Sequence, residues 1–229
     1  MPATPEPLRH RGWRSHSPGI GRAGGLTGLG GKFRLFVATR RDRIVGVRND
    51  GWMLSAPSLQ ELDQLVRNQQ PALILELGSG RSTVVLADAA ATYAGRLVSL
   101  EHDPRYYQRT RRRLRGHADV DLRIAPLQGG WYAKHAWSDL EGVDLLIVDG
   151  PPNLPDDPTN RRAPAMPLLA DRLSEQATMV VDDTHRAEEH AMLQEWIRDY
   201  AIEIVREVGH CYGDGRSTIL RRSGKKRGP

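Results

Sequence analysis

At 229 residues the chain is long enough to bury a full core, and it fits one domain with extensions at its ends. A single cysteine, Cys211, excludes an intramolecular disulfide framework and a thiolate metal cluster, and no apolar run is long enough to cross a bilayer. The formal charge of +5 resides in the ends: residues 51–220 carry 18 basic and 25 acidic side chains, while residues 1–50 and 221–229 supply an excess of 12 positive charges, so net charge alone identifies no nucleic-acid partner.

The opening stretch MPATPEPLRHRGWRSHSPG lacks the apolar segment of a signal peptide, which makes the cytoplasm the expected location. Residues 1–50 read as a basic extension rich in Gly, Pro and Arg, partly disordered by composition, with short pieces between Lys32 and Ser55 leading into the domain. Residues 51–222 form the domain and residues 223–229 a basic tail; such tails either touch anionic partners or are simply solvated. At Ser58 the sequence SLQE has the form of a capping box, and Leu62, Leu65 and Val66 share one helical face.

From there strands and helices alternate. ALILEL (72–77) reads as a strand buried on both faces, STVVLADAAATYA (82–94) as an alanine-rich helix, and RLVSLE (96–101) as the second strand. PRYYQRTRRRLRG (104–116) has Pro at its start and Gly at its end, as a helix does. VDLRIAP is the third strand, VDLLIVDG (143–150) the fourth, Ala165 to Glu175 a helix, ATMVVDD the fifth strand and HRAEEHAMLQEWIRDYA the following helix. This alternation specifies a parallel sheet with helices on both faces. IEIVREVG and RSTILRR, separated only by HCYGDG, have no room for a crossover and must form an antiparallel hairpin.

In open α/β sheets ligands bind at the carboxyl ends of the strands. The stretch ILELGSGRST (74–83) is therefore a candidate site: Gly78 and Gly80 let backbone approach a ligand, and the helix start behind them offers free amides. Thr83 stands where a dinucleotide fingerprint needs a third small residue, so that fingerprint is not met. Glu101, at the end of the second strand, can accept from both hydroxyls of a ribose, a device shared with NAD proteins. Glu76 is the discriminating acid, suited to a cationic aminoacyl group; its bland alternative is a charged strand terminus.

ELGSGRST, SLEHDPRYY, RIAPL followed by GGWY, DLLIVDGPP and VVDDTH occur in the order of the motifs of class I S-adenosylmethionine-dependent methyltransferases, and the chain most resembles the methyltransferase 24 family over about Gly51 to Arg222. The resemblance implies a Rossmann-like α/β fold, with a mostly parallel seven-stranded sheet that ends in the antiparallel hairpin. It also implies that Glu76, Gly78, Ser79 and Gly80 line the methionine end of the cofactor, with Ser82 completing that set, and that Glu101 holds the ribose. His102 then sits beside the adenine, flanked by Ala125 and Leu127; the alternatives are a surface cap for His102 and core positions for the other two.

Methyl transfer is an in-line displacement that needs an aligned nucleophile and a destination for its proton. Asp149 ends the fourth strand, and Asp182 and Asp183 end the fifth. Three carboxylates at one mouth suit Mg2+ holding a substrate alkoxide, as in the metal-dependent O-methyltransferases that this pattern is similar to. VDGPPN departs from those enzymes, with two prolines and no lysine base; the alternative has Asp149 orienting the cofactor amine or the substrate, and Asp182 or Asp183 capping the next helix. His185 is the preferred general base, because an imidazole is the side chain type suited to proton transfer near neutrality; a solvated first-turn histidine is the alternative. Trp131, Tyr132 and Trp137 form either one wall of an acceptor pocket or a lid packed on the core. Arg161 and Arg162, in a proline-rich loop over the same mouth, either receive an anionic substrate or lie on the surface.

The expected function is methyl transfer from S-adenosylmethionine to a small-molecule acceptor, with oxygen preferred. The alternatives are a nucleic-acid methyltransferase anchored by the basic tails and a binding protein that keeps the fold without the catalysis. No membrane partner is expected, and the sequence assigns no oligomeric state.

Overall fold

A computed structural model describes residues 54–117, 119–154, 159–209 and 215–223. The extension over residues 1–50 and most of the tail lie outside the described residues, as do Cys211 and all of the HCYGDG turn except Gly215.

Helix α1, Ala56–Gln69, begins three residues earlier than its capping-box reading implied. Ser55 is the cap, its Oγ accepting from Ser58 N at 3.2 Å, and Pro57 occupies the first turn, where its missing amide costs nothing. Ser58 is instead buried, 2.8 Å from Ser217 Oγ on the last strand. β1 (Leu73–Leu77) is buried throughout and leads into α2 (Arg81–Ala90), which stops short of the expected Ala94. Ala94 takes a left-handed conformation there, and Gly95 N returns to Ala90 O at 3.1 Å. β2 (Arg96–Glu101) is followed by α3 (Pro104–Arg113), capped by Asp103, whose Oδ1 accepts from Arg105 N at 2.7 Å.

After β3 (Val120–Ile124) the sequence turns an unforeseen small hairpin, β4 (Leu127–Gln128) and β5 (Trp131–Tyr132). Gly129 and Gly130 both have positive φ, as a two-residue turn matched to the strand twist requires. β6 (Val143–Val148) precedes a second departure. The helix expected over 165–175 is only α4 (Ala165–Leu169) plus a 3-10 turn, because Leu173 already pairs with Val143 and opens the long strand β7 (Leu173–Val181). α5 (Ala187–Asp199), β8 (Ile202–Gly209) and β9 (Arg216–Arg222) complete the domain.

The seven-stranded sheet has the order β3-β2-β1-β6-β7-β9-β8. Its neighbours are parallel from β3 to β7, and β9 alone runs against β7 and β8. One core layer packs α1, α2 and Leu114 on one face; the other packs Trp131, Trp137, α4 and α5 on the opposite face. The chain reverses between β1 and β6, which puts the switch point, and the crevice it opens, beside Gly78 and Asp149. No helix among the described residues is long and apolar enough to cross a membrane.

Candidate functional site

The loops leaving β1, β2, β6 and β7 surround a cavity of about 520 Å3. Its floor is made by backbone that only particular residues allow. Gly78 has φ +95, and a Cβ there would stand 3.1 Å from the carbonyl carbon of Asp149. Gly78 N donates to Leu100 O at 3.0 Å and Asp149 N to Leu77 O at 3.0 Å, so three strand ends close on this glycine. Gly80 has open space where a Cβ would project; it begins α2, with its amide donating to Thr83 Oγ1 at 2.8 Å, and is not part of the cavity wall.

The two acids assigned to the cofactor separate. Glu101 lines the cavity and is fixed in place: Oε2 accepts from Ser79 N at 3.2 Å and from Ser79 Oγ at 2.9 Å, and Oε1 accepts from Asp103 N at 2.9 Å. Glu76 lies beneath the loop, fully buried, with Oε2 accepting from Thr83 Oγ1 and Ser99 Oγ, each at 2.6 Å. Burial pushes its carboxyl up to about 7 against the pull of the Ser82, Ser99 and Thr83 hydroxyls. Ser82 is likewise buried and turned toward Glu76, so both residues support the loop and neither forms the wall assigned to it from the sequence. His102 does line the cavity, with Nδ1 3.2 Å from Glu101 Oε1. Ala125 is fully buried in the core and Leu127 pairs with Tyr132 in the hairpin; neither reaches the cavity, because Ala125 N is drawn back to Glu101 O at 2.7 Å.

At the other side the three aspartates converge as expected. One carboxylate oxygen each from Asp149, Asp182 and Asp183 lie within 4.8 Å of one another. Burial, then the charge of Asp182, lifts the Asp149 carboxyl well above its ordinary range; burial, then Asp183, raises that of Asp182. Ser217 Oγ donates to Asp182 Oδ1 at 2.5 Å, so the Ser58 to Ser217 link ends on this acid. Asp183 adopts φ +60, a left-handed conformation that an aspartate tolerates better than most residues.

The cluster contains a cation that the sequence reading placed over the mouth but not among the acids. Arg162 is only 4% exposed. It donates to Asp182 O at 2.9 Å, Asp149 O at 3.2 Å and Asp183 Oδ2 at 3.0 Å, and lies 3.5 Å from Asp149 Oδ1. It therefore ties β6 to β7 from inside the molecule and is neither a surface arginine nor a free anion receptor. Behind it Glu189, fully buried, accepts from Asn153 Nδ2 at 3.0 Å and stands 4.0 Å from Arg162 Nη1. Arg161 does not line the cavity; its backbone N donates to Asn153 Oδ1 at 2.8 Å.

His185 reaches the rim, where its Nδ1 accepts from Arg216 N at 3.3 Å. In that neutral tautomer the proton resides on Nε2 and the lone pair is engaged, so service as a base requires this contact to open. Among the three loop aromatics only Tyr132 lines the cavity; Trp131 and Trp137 are core, with Trp137 Nε1 donating to Tyr132 O at 3.2 Å. Sequence reasoning missed Asp103, Arg105, Tyr106, Gly150 and Arg186 as wall residues. The Asp103–Pro104 helix start was visible as a local signal, but its placement on the cavity depended on strand order.

The sheet order, with its reversed last strand and a glycine loop at the switch point, is that of the class I methyltransferase fold. Residues 75–184 match the model of the methyltransferase 24 family, described as a methyltransferase domain. No curated protein matches the sequence. The fold is shared with the SAH-bound methyltransferase PaMTH1 of Podospora anserina, at 17% identity and a TM-score of 0.61, covering 87% of this chain and 99% of that one. It is shared too with the O-methyltransferase TomG of Streptomyces achromogenes, involved in tomaymycin synthesis and crystallised with SAM, at 19% identity and a TM-score of 0.60, covering 83% and 90%. An O-methyltransferase of Bacillus cereus in complex with SAH is similar at 17% identity and a TM-score of 0.57, covering 83% and 89%.

Proposed function

We propose that this protein transfers the methyl group of S-adenosylmethionine to a hydroxyl oxygen of a small-molecule acceptor. The observation that carries the reading is the continuity of one 520 Å3 cavity from the Gly78–Glu101 side to the Asp149–Asp182–Asp183 cluster. A volume of this size is typical of a small-molecule site. The acceptor oxygen attacks the methyl carbon as the carbon–sulfur bond breaks; the bonding pair stays on sulfur, S-adenosylhomocysteine leaves, and the acceptor's proton passes to a base. In the metal-free site Asp149, with raised proton affinity and a position on the cavity wall, takes that proton; where Asp149 holds a metal ion, His185 at the rim takes it instead. O-methylation in neighbours of the same fold supports oxygen as the acceptor atom.

The cluster also fits Mg2+. Its donors are hard oxygens, and Arg162 neutralises one of three carboxylate charges, which leaves room for a divalent cation. Asp149, Asp182 and Asp183 would hold the ion, which when bound supplies Lewis-acid stabilisation of an alkoxide. Titration calorimetry with S-adenosylmethionine, S-adenosylhomocysteine and NAD, together with methyl-transfer assays in Mg2+ or EDTA, tests both parts. Binding of NAD alone overturns the cofactor reading, and activity unaffected by EDTA removes the metal.

A second reading, methylation of nucleic acid, draws support from α3: Arg105, Arg109, Arg111, Arg112 and Arg113 are all exposed, and Arg105 stands at the cavity mouth. Strongly salt-dependent binding of an RNA or DNA oligonucleotide, with methyl incorporation into it, would favour this reading.

A further inference from the structure

Tyr132 lines the cavity and carries a hydroxyl that neither the wall nor the lid reading of the loop aromatics uses. Its side chain is 2% exposed, and its hydroxyl has no hydrogen-bond partner among the described residues. Buried hydroxyls without partners are rare because they forfeit their hydration, so one carried by a residue of the cavity wall points to a ligand group. The surroundings hold the ring in place. The glycine turn and the pairing of Leu127 with Tyr132 fix the backbone, and Trp131 and His102 set their rings edgewise at 5.3 Å and 6.5 Å.

The hydroxyl stands over the junction of the β1 and β6 loops. A Cβ built on Gly150 would lie 2.6 Å from Tyr132 Oη and 3.1 Å from Gly78 Cα, so the glycine at 150 makes room for this oxygen. The junction is the end of the cavity given to the methionine part of the cofactor. The charged groups that act on the hydroxyl are Glu101, Asp149, Arg162 and Glu76, and the acids outnumber the arginine. Neighbouring carboxylates draw the hydroxyl proton toward themselves and leave an oxygen lone pair for a cationic group. Burial also keeps the phenol protonated, so the contact persists across the working pH range.

We infer that Tyr132 Oη contacts the cationic end of S-adenosylmethionine, its ammonium or its sulfonium, and so takes part in holding the methyl donor. This rests on the S-adenosylmethionine reading of the cavity. The test measures affinities of the full chain and its Tyr132→Phe variant for S-adenosylmethionine, S-adenosylhomocysteine and 5′-methylthioadenosine, which lacks the aminoacyl group. A contact to the ammonium lowers affinity for the first two by about tenfold and leaves the third unchanged; a contact to the sulfonium lowers only the first by about tenfold. Equal loss on all three ligands, or no loss, overturns the assignment. Failure of the unaltered protein to bind any of the three ligands overturns the cofactor reading itself, and is thereby distinguished from a failure confined to the variant.

Discussion

Replacing Glu76 with Gln should change how stability depends on pH more than it changes stability at any single acidic pH. The carboxyl is fully buried and its proton affinity rises from 4.5 to about 7, chiefly through burial. Below about pH 4.5 the group is neutral in folded and unfolded chains alike. Between 4.5 and 7 the unfolded chain releases the proton and the folded chain keeps it, so stability falls as pH rises; above 7 both states are ionised and the full cost is present. A shift of about 2.5 units corresponds to about 3 kcal/mol at ~1.36 kcal/mol per unit. The Gln side chain keeps an oxygen for Thr83 and Ser99 to donate to and has no proton to lose. Urea unfolding at a series of pH values from about 4 to about 8.5 measures both proteins. The stability of the unaltered chain relative to Glu76→Gln should fall by about 3 kcal/mol across that window, with other titrations cancelling in the difference. A difference that stays flat with pH would refute the reasoning, and one that grows in favour of Glu76 would show that the hydroxyls outweigh burial.

Gly78→Ala should cost roughly 1–3 kcal/mol, because the position has φ +95 and its new Cβ meets the Asp149 carbonyl carbon at 3.1 Å; calorimetric titration should show S-adenosylhomocysteine binding lost with it. Arg162→Met removes a cation held among Asp149, Asp182 and Asp183, and should cost roughly 3–5 kcal/mol in urea unfolding near pH 8. Its penalty should shrink near pH 5, where Asp149 and Asp182, both raised above the ordinary carboxyl range, more readily take up protons; a penalty independent of pH would count against the arginine as the neutralising partner.

The parts of this molecule that could be read from the sequence are those in which chemistry and chain position coincide. Uninterrupted apolar runs such as ALILEL and DLLIVDG marked strands buried on both faces, and the short link before RSTILRR required the reversed strand. The glycine turn and the place of Glu101 on the cavity were legible for the same reason: a ligand at the strand ends requires bare backbone and hydrogen-bonding groups at those places. Leu173 to Glu175 misled because a helical run and a strand can share the same apolar residues, and the pairing of Leu173 with Val143 decided between them. Side-chain direction was the larger loss. Glu76 and Glu101 both stand at or near strand ends, yet burial beneath the loop turns one into a support while the other faces the cavity, and nothing in ELGSG separates those outcomes. Arg162 and Tyr132 lie in loops whose paths follow from contacts distant in sequence, with Asp182 and with Gly150 respectively. The charge balance of the aspartate cluster is therefore a tertiary property: three acids counted along the chain suggest a strongly anionic mouth, whereas the fold inserts a buried guanidinium among them. Any cation that enters, whether a metal ion, a proton or the charged end of the cofactor, meets a site already neutralised by one charge.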